Sequence, residues 1–157
     1  MKKGMIVLLL VMVIIQFFHP VKNTSLTNGS FDISTKYILP DSVAKVLKVA
    51  CYDCHSNNTR YPWYNNIQPV AWWLDSHIRD GKNALNFSEF TSYSPGRQDS
   101  SFSGKSNEVK EEGMPLYSYT LIHLDAKLSI DQKKMLSSWA LAQHDRVGKA
   151  TDTLIRY

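Results

Sequence analysis

Cys51-Tyr52-Asp53-Cys54-His55 is the stretch of this chain best equipped for chemistry. Two thiols two residues apart, with an imidazole directly after the second, form the pattern by which a polypeptide is joined to a porphyrin. The thiols can add across two vinyl groups to give thioethers, and the imidazole then offers a nitrogen to the iron. Other uses of the same residues compete. A thioredoxin-type dithiol needs a strand-to-helix turn in a βαβ unit, and the chain shows no such alternation. A structural disulfide suits an exported chain but leaves His55 without a role. A zinc site could draw on Cys51, Cys54 and histidines, although no second ligand pair follows at finger-like spacing. The pattern favours haem. The chain has only two cysteines, so a haem would use both and leave no disulfide framework.

A second axial ligand has three candidates. Met114 stands in Glu111-Glu112-Gly113-Met114-Pro115-Leu116, where Gly113 permits a tight turn and Pro115 stiffens the exit. Its soft thioether suits low-spin iron and raises the potential, although methionine more often fills a gap in a core. His77 falls on an apolar stripe, where histidine is more often a hydrogen-bonded core residue than a ligand. His123 follows Met114 closely and could instead bond a propionate or a backbone carbonyl. Arg97, Lys105 and Lys110 could face propionates, but solvated charge is the favoured reading of all three.

Helices must position these groups. Leu39-Pro40-Asp41-Ser42 is a start signal, and Val43, Val46, Leu47 and Ala50 recur at helical spacing into Cys51. A second helix is expected from Pro69 to a stop at Gly81, with Val70, Trp73, Leu74, His77 and Ile78 on one face. Leu85 to Phe90 is expected as a short helix or extended piece. The polar run from Thr91 to Asn107, around Ser94-Pro95-Gly96, is expected to be a surface loop. Ser129 and Gln132 form a capping box for a closing helix that reaches about Gln143.

The 157 residues suggest one domain, and 43% hydrophobic content can supply a modest core. The net charge is +4, of which Lys2 and Lys3 supply two. That is too little, and too dispersed, for nucleic-acid binding. A weakly basic surface suits an acidic redox partner or anionic lipid by steering. The run from Met5 to Phe18 behind two lysines is expected to be a signal peptide or, preferably, an uncleaved membrane anchor. The expected division is a signal-anchor at 1–22, a polar tether at 23–38, a haem-binding domain at 39–145 and a polar tail at 146–157. This places the domain on the periplasmic face of a bacterial cytoplasmic membrane. The redox partner and the oligomeric state are left open.

Together these stretches resemble the bacterial haem-binding domain family, related to small class I c-type cytochromes. The resemblance rests on the Cys51–His55 motif, Arg60-Tyr61-Pro62-Trp63-Tyr64, Pro69-Val70-Ala71-Trp72-Trp73, His77, Leu85-Asn86-Phe87-Ser88, Met114-Pro115-Leu116 and the Leu128-Ser129 helix start. It covers about Pro40 to Gln143. It implies an all-α, cytochrome c-like domain with long loops around one covalent haem c, held by Cys51 and Cys54. The expected iron ligands are His55 and Met114, with His77 or His123 as alternatives to Met114. The expected role is single-electron transfer rather than catalysis. Two alternatives stand beside it: a haem enzyme or gas sensor with an open distal site, and a zinc-stabilised interaction domain.

Overall fold

A computed structural model describes residues 2–25 and 29–155, with backbone only for Lys105 and residues 149–155. Helices α1 (Lys2–Ile15), α2 (Asp41–Ala50), α3 (Tyr52–His55), α4 (Val70–Ala84), α5 (Pro95–Lys110), α6 (Tyr117–Thr120) and α7 (Ile130–Ile155) follow in order. Short 3-10 turns lie at Ile33–Thr35, Trp63–Asn66, Phe87–Ser92 and Leu124–Ala126. Among the described residues there is no strand, so the expected all-α class is observed.

Helix α2 starts behind Pro40, whose ring cannot donate to a preceding turn, and carries Asp41 at its positive amino end. Its stripe of Val43, Val46, Leu47 and Ala50 is buried as the spacing requires. At Cys51 the backbone leaves the helical region (φ −127°), and the chain restarts at once as α3. The amides of Cys54 and His55 both donate to the Cys51 carbonyl, at 3.2 and 2.9 Å. The motif is thus a kinked continuation of α2, which aims Cys51 and His55 along the buried stripe.

Below that stripe lies the aromatic core. Phe90, 1% exposed, packs its ring against Phe102 at 4.9 Å, Tyr37 at 5.7 Å and Tyr93 at 5.7 Å between centroids. Helices α5 and α7 close the far side. Asp99 faces His144 and the Ser106 carbonyl faces Ser137, pairings that run in opposite directions along the two helices and make them antiparallel. The Ser129–Gln132 capping box forms: Gln132 N donates to Ser129 Oγ at 3.2 Å, and Ser129 N donates to Gln132 Oε1 at 2.8 Å.

Several expectations need correction. Within residues 91–107, read as loop, the chain from Pro95 onward is the helix α5, which runs to Lys110. Ser94 caps it by accepting from Arg97 N, and Pro95 occupies its first turn, so the presumed breaker is a helix start. Its core-facing stripe is Gln98, Phe102 and Ser106, all buried, too polar to read as amphipathic. Packing on α7 overrides weak local preference. Gly81 is no stop, because α4 continues to Ala84. The closing helix runs past Gln143 through most of the expected tail, to Ile155.

Residues 23–38, expected as a tether, are tied to the domain where they are described. Asn23 N donates to Tyr61 Oη at 2.7 Å, its Nδ2 donates to the Ser56 carbonyl at 2.8 Å, and Ile33 is fully buried. The 14 residues of α1 rise about 21 Å, against a bilayer core of about 30 Å. No described helix is long and apolar enough to cross a membrane, so the expected spanning anchor finds no support.

Candidate functional site

The kink at Cys51 opens onto a cleft of about 360 Å³ bounded by Cys51, Cys54, His55, His77, Met114 and Tyr119. A smaller apolar cavity of about 80 Å³ adjoins it, sharing Cys51, His55 and Met114 and continuing to Phe87, Leu128 and Trp139. The cleft lies in the size range of cofactor sites, roughly 300–1,000 Å³. Residues 51 to 55 and Met114 are therefore brought together although some sixty positions separate them.

His55 is buried, and its Nδ1 lies 2.9 Å from the Leu85 carbonyl oxygen. A carbonyl can only accept, so Nδ1 carries the proton and the lone pair is on Nε2. Leu85 reaches this place because it ends α4 in an extended conformation (φ −158°), which turns its carbonyl off the helix axis. A histidine that donates one ring N–H to a backbone carbonyl is oriented as metal-bound histidines are. Sequence reasoning found His55 but not its partner.

Burial, with Cys54 nearby, pushes the Cys51 thiol up to about 12. Burial, with Asp53 nearby, pushes Cys54 up to about 11. Both are neutral thiols at physiological pH, and they are not joined to each other. Helix α4 comes unusually close behind Cys54. A Cβ added at Gly81 would lie 2.7 Å from the Cys54 carbonyl oxygen, so a glycine is needed there for contact rather than for helix termination.

Asp53, between the cysteines, is the residue that sequence reasoning passed over. Its buried carboxylate accepts from Arg60 N at 3.2 Å, Arg60 Nε at 3.2 Å, Arg60 Nη2 at 3.3 Å and Tyr119 Oη at 2.7 Å. These bonds close the turn after the motif and hold α6 against the cleft. Burial, followed by the Asp53 bond, drives the Tyr119 phenol far above its ordinary value, so it stays a neutral donor. The only sequence hint was an Asp in the motif with an Arg seven residues on; Tyr119 had none.

Met114 enters the cleft from the end of α5. Gly113 N and Met114 N both donate to the Glu108 carbonyl, at 2.9 and 3.2 Å. The left-handed residue of this turn is Glu112, at φ 61°, and not Gly113 as expected. His77 also borders the cleft. Its Nδ1 donates to the Trp73 carbonyl at 2.9 Å, and its ring packs on the Trp73 indole at 4.3 Å. His123 does not border it. That ring stacks behind Tyr119 at 4.3 Å, and its Nε2 bonds the Tyr64 hydroxyl at 2.7 Å, which makes it a support for the wall. Arg97 covers the Tyr93 ring at 3.9 Å and donates to the Asn83 carbonyl. Lys110 is exposed, and the Lys105 side chain lies outside the described residues.

The arrangement fits a porphyrin. Two thiols stand at one edge, an oriented imidazole and a thioether line the same cleft, and the adjoining cavity is almost wholly apolar. Zinc fits less well: among the described residues no three His, Cys, Asp or Glu side chains are grouped to hold a metal ion. Residues 10–142 match the model of a family described as a haem-binding domain. No curated protein and no solved structure matches the chain.

Proposed function

This chain belongs to the haem-binding domain family, and on that premise we propose that it holds one covalent haem c and passes single electrons on the outer side of the cytoplasmic membrane. The observation that supports the reading is the buried His55 Nδ1–H to Leu85 carbonyl bond, which fixes the ring at the wall of the cleft with its lone pair on Nε2. The haem would supply an iron that changes oxidation state by one electron. Cys51 and Cys54 would hold it as thioethers, each thiol adding across a vinyl group with its hydrogen going to the neighbouring vinyl carbon, an addition that would need no oxidant.

Met114 is assigned as the distal ligand because it alone of the candidates borders both the cleft and the apolar cavity. The apolar lining would keep water from a bound haem, and a thioether ligand from Met114 would favour a raised potential. No nucleophile or acid–base pair is required for this role. A second reading places His77 on the iron, since it shares the cleft and its Nδ1 bond leaves the lone pair on Nε2 in the same way. His123 is spoken for by Tyr64.

Expression with haem-attachment machinery tests the proposal. The purified protein should keep haem on a denaturing gel and give the pyridine haemochrome spectrum of thioether-linked haem. The oxidised form should show the weak far-red band of methionine–iron ligation, lost in Met114→Ala and kept in His77→Ala. Absence of attached haem would refute the proposal. Loss of the band only in His77→Ala, or rapid carbon monoxide binding to the reduced wild type, would refute Met114 as ligand.

A further inference from the structure

Helix α1 has no polar face. Every residue from Met5 to Ile14 is exposed and none of the helix is buried. A helix apolar all round needs cover on every side. A second copy or a partner helix would cover one side of it, whereas lipid covers all.

The exit of α1 is built for a site without water. Its last four carbonyls all have protein donors: Met12 takes Gln16 Nε2, Val13 takes Gln16 N, Ile14 takes Phe17 N and Ile15 takes Phe18 N. The Phe18 carbonyl receives Gln68 Nε2 at 2.6 Å and Trp72 Nε1 at 2.9 Å. Gln68 N also donates to Gln16 Oε1 at 2.9 Å. Internal pairing of a helix's last carbonyls is what a low-dielectric surrounding demands of a helix end.

Around that exit the domain continues the apolar surface. Phe17 (81% exposed), Phe18, Trp63 (76%), Ile67, Trp72 and Trp73 all stand open to solvent. Tryptophan has an apolar body and a polar N–H, and it collects at the boundary between lipid and water. We propose that this aromatic face, formed by the 63–66 turn and the first turn of α4, docks into the interfacial layer of a lipid bilayer, with α1 embedded beside it. The 14-residue helix falls short of a span on its own, and the face supplies the second half of the attachment. Docking does not depend on the haem reading. If that reading also holds, His77 and Gly81, four and eight residues beyond Trp73, lie about 6–12 Å along α4 from the docked face, so the cleft is near the membrane. Electron exchange would then run with a partner at the membrane surface.

The test uses the full-length, haem-matured chain reconstituted in phosphatidylcholine vesicles with a minor fraction of phosphatidylglycerol. A phospholipid bearing a photoactivatable carbene precursor near its glycerol backbone is included, and adducts are mapped by mass spectrometry. Peptides spanning 63–73 should carry adducts several-fold more often than the peptide spanning 95–110. The latter begins beside Asn83, through the Arg97–Asn83 bond, about 15 Å beyond Trp73 along α4. Adducts confined to the α1 peptide would overturn the proposal, as would equal labelling of 63–73 and 95–110. Protection of 63–73 by cross-links to another copy, in place of lipid adducts, would also overturn it. With Trp63→Gln, a change at an exposed ring outside the cleft, the haem spectrum should be unchanged while adducts on 63–73 fall.

Discussion

Gly81→Ala is the substitution whose sign the structure reverses. Gly81 lies inside α4 with ordinary helical geometry, and replacing an interior helix glycine by alanine normally stabilises by about 1 kcal/mol. Here the new methyl would stand 2.7 Å from the Cys54 carbonyl oxygen, 3.1 Å from Cys54 Cβ and 3.2 Å from the Cys54 carbonyl carbon. Two of these three atoms are backbone in the helical turn that carries the cysteines, so neither can swing aside as a flexible side chain would. Overpacking of this kind costs roughly 1–3 kcal/mol. Set against the helical gain, the net change is a loss of about 0–2 kcal/mol. Gly104→Ala is the internal control: it is also helical, and nothing lies within 4 Å of its added Cβ, so it should gain about 0.5–1 kcal/mol. Denaturant unfolding of the two variants beside the wild type measures the difference. In the haem-loaded protein, Gly81→Ala should also shift the visible spectrum, because α3 must move to admit the methyl, while Gly104→Ala should not. If Gly81→Ala stabilises as much as Gly104→Ala and leaves the spectrum alone, the contact between α4 and the motif has been misread.

Three further outcomes are expected. Phe90→Ala removes a ring that is 1% exposed and contacts three aromatic neighbours, and should cost about 3–5 kcal/mol in an unfolding titration. In haem-free folded protein the thiols should react slowly with iodoacetamide at pH 8. The rate should climb toward pH 11–12, where Cys54 and Cys51 ionise, while unfolded chain reacts from about pH 9. Folded values raised above the unfolded ones also mean that this form loses stability as pH rises from about 9 through 12. Asp53→Asn should destabilise by about 1–3 kcal/mol by weakening four bonds to one buried group. Its specific sign is in an ultraviolet titration, where the Tyr119 phenol should ionise at lower pH once the carboxylate charge is gone.

The motif at residues 51–55, the helix that leads into it and the capped closing helix could all be read from order along the chain. Each is encoded locally: a fixed spacing of thiols and imidazole, a stripe of period 3.6, and a cap paired with a residue three positions on. The recurrence of Met114 as a ligand candidate was legible for the same reason, since a soft donor in a short constrained turn has its own signature. Helix α5 was not. Gln98 and Ser106 are polar, and they become core residues only because α7 lies antiparallel against them. Asp53, Gly81, Leu85 and Tyr119 belong to the site through neighbours that are distant in sequence. Gly81 is required because a carbonyl from another helix arrives at the place of its missing side chain, and Leu85 because its carbonyl meets an imidazole thirty residues earlier. His77 and His123 looked equivalent on one line of text, and packing separated them, one into the cleft and the other onto Tyr64. Sequence determined which groups this chain could offer to a porphyrin. Tertiary contact decided which nitrogen His55 presents and which side chains share its cleft, because those depend on where distant backbone comes to rest.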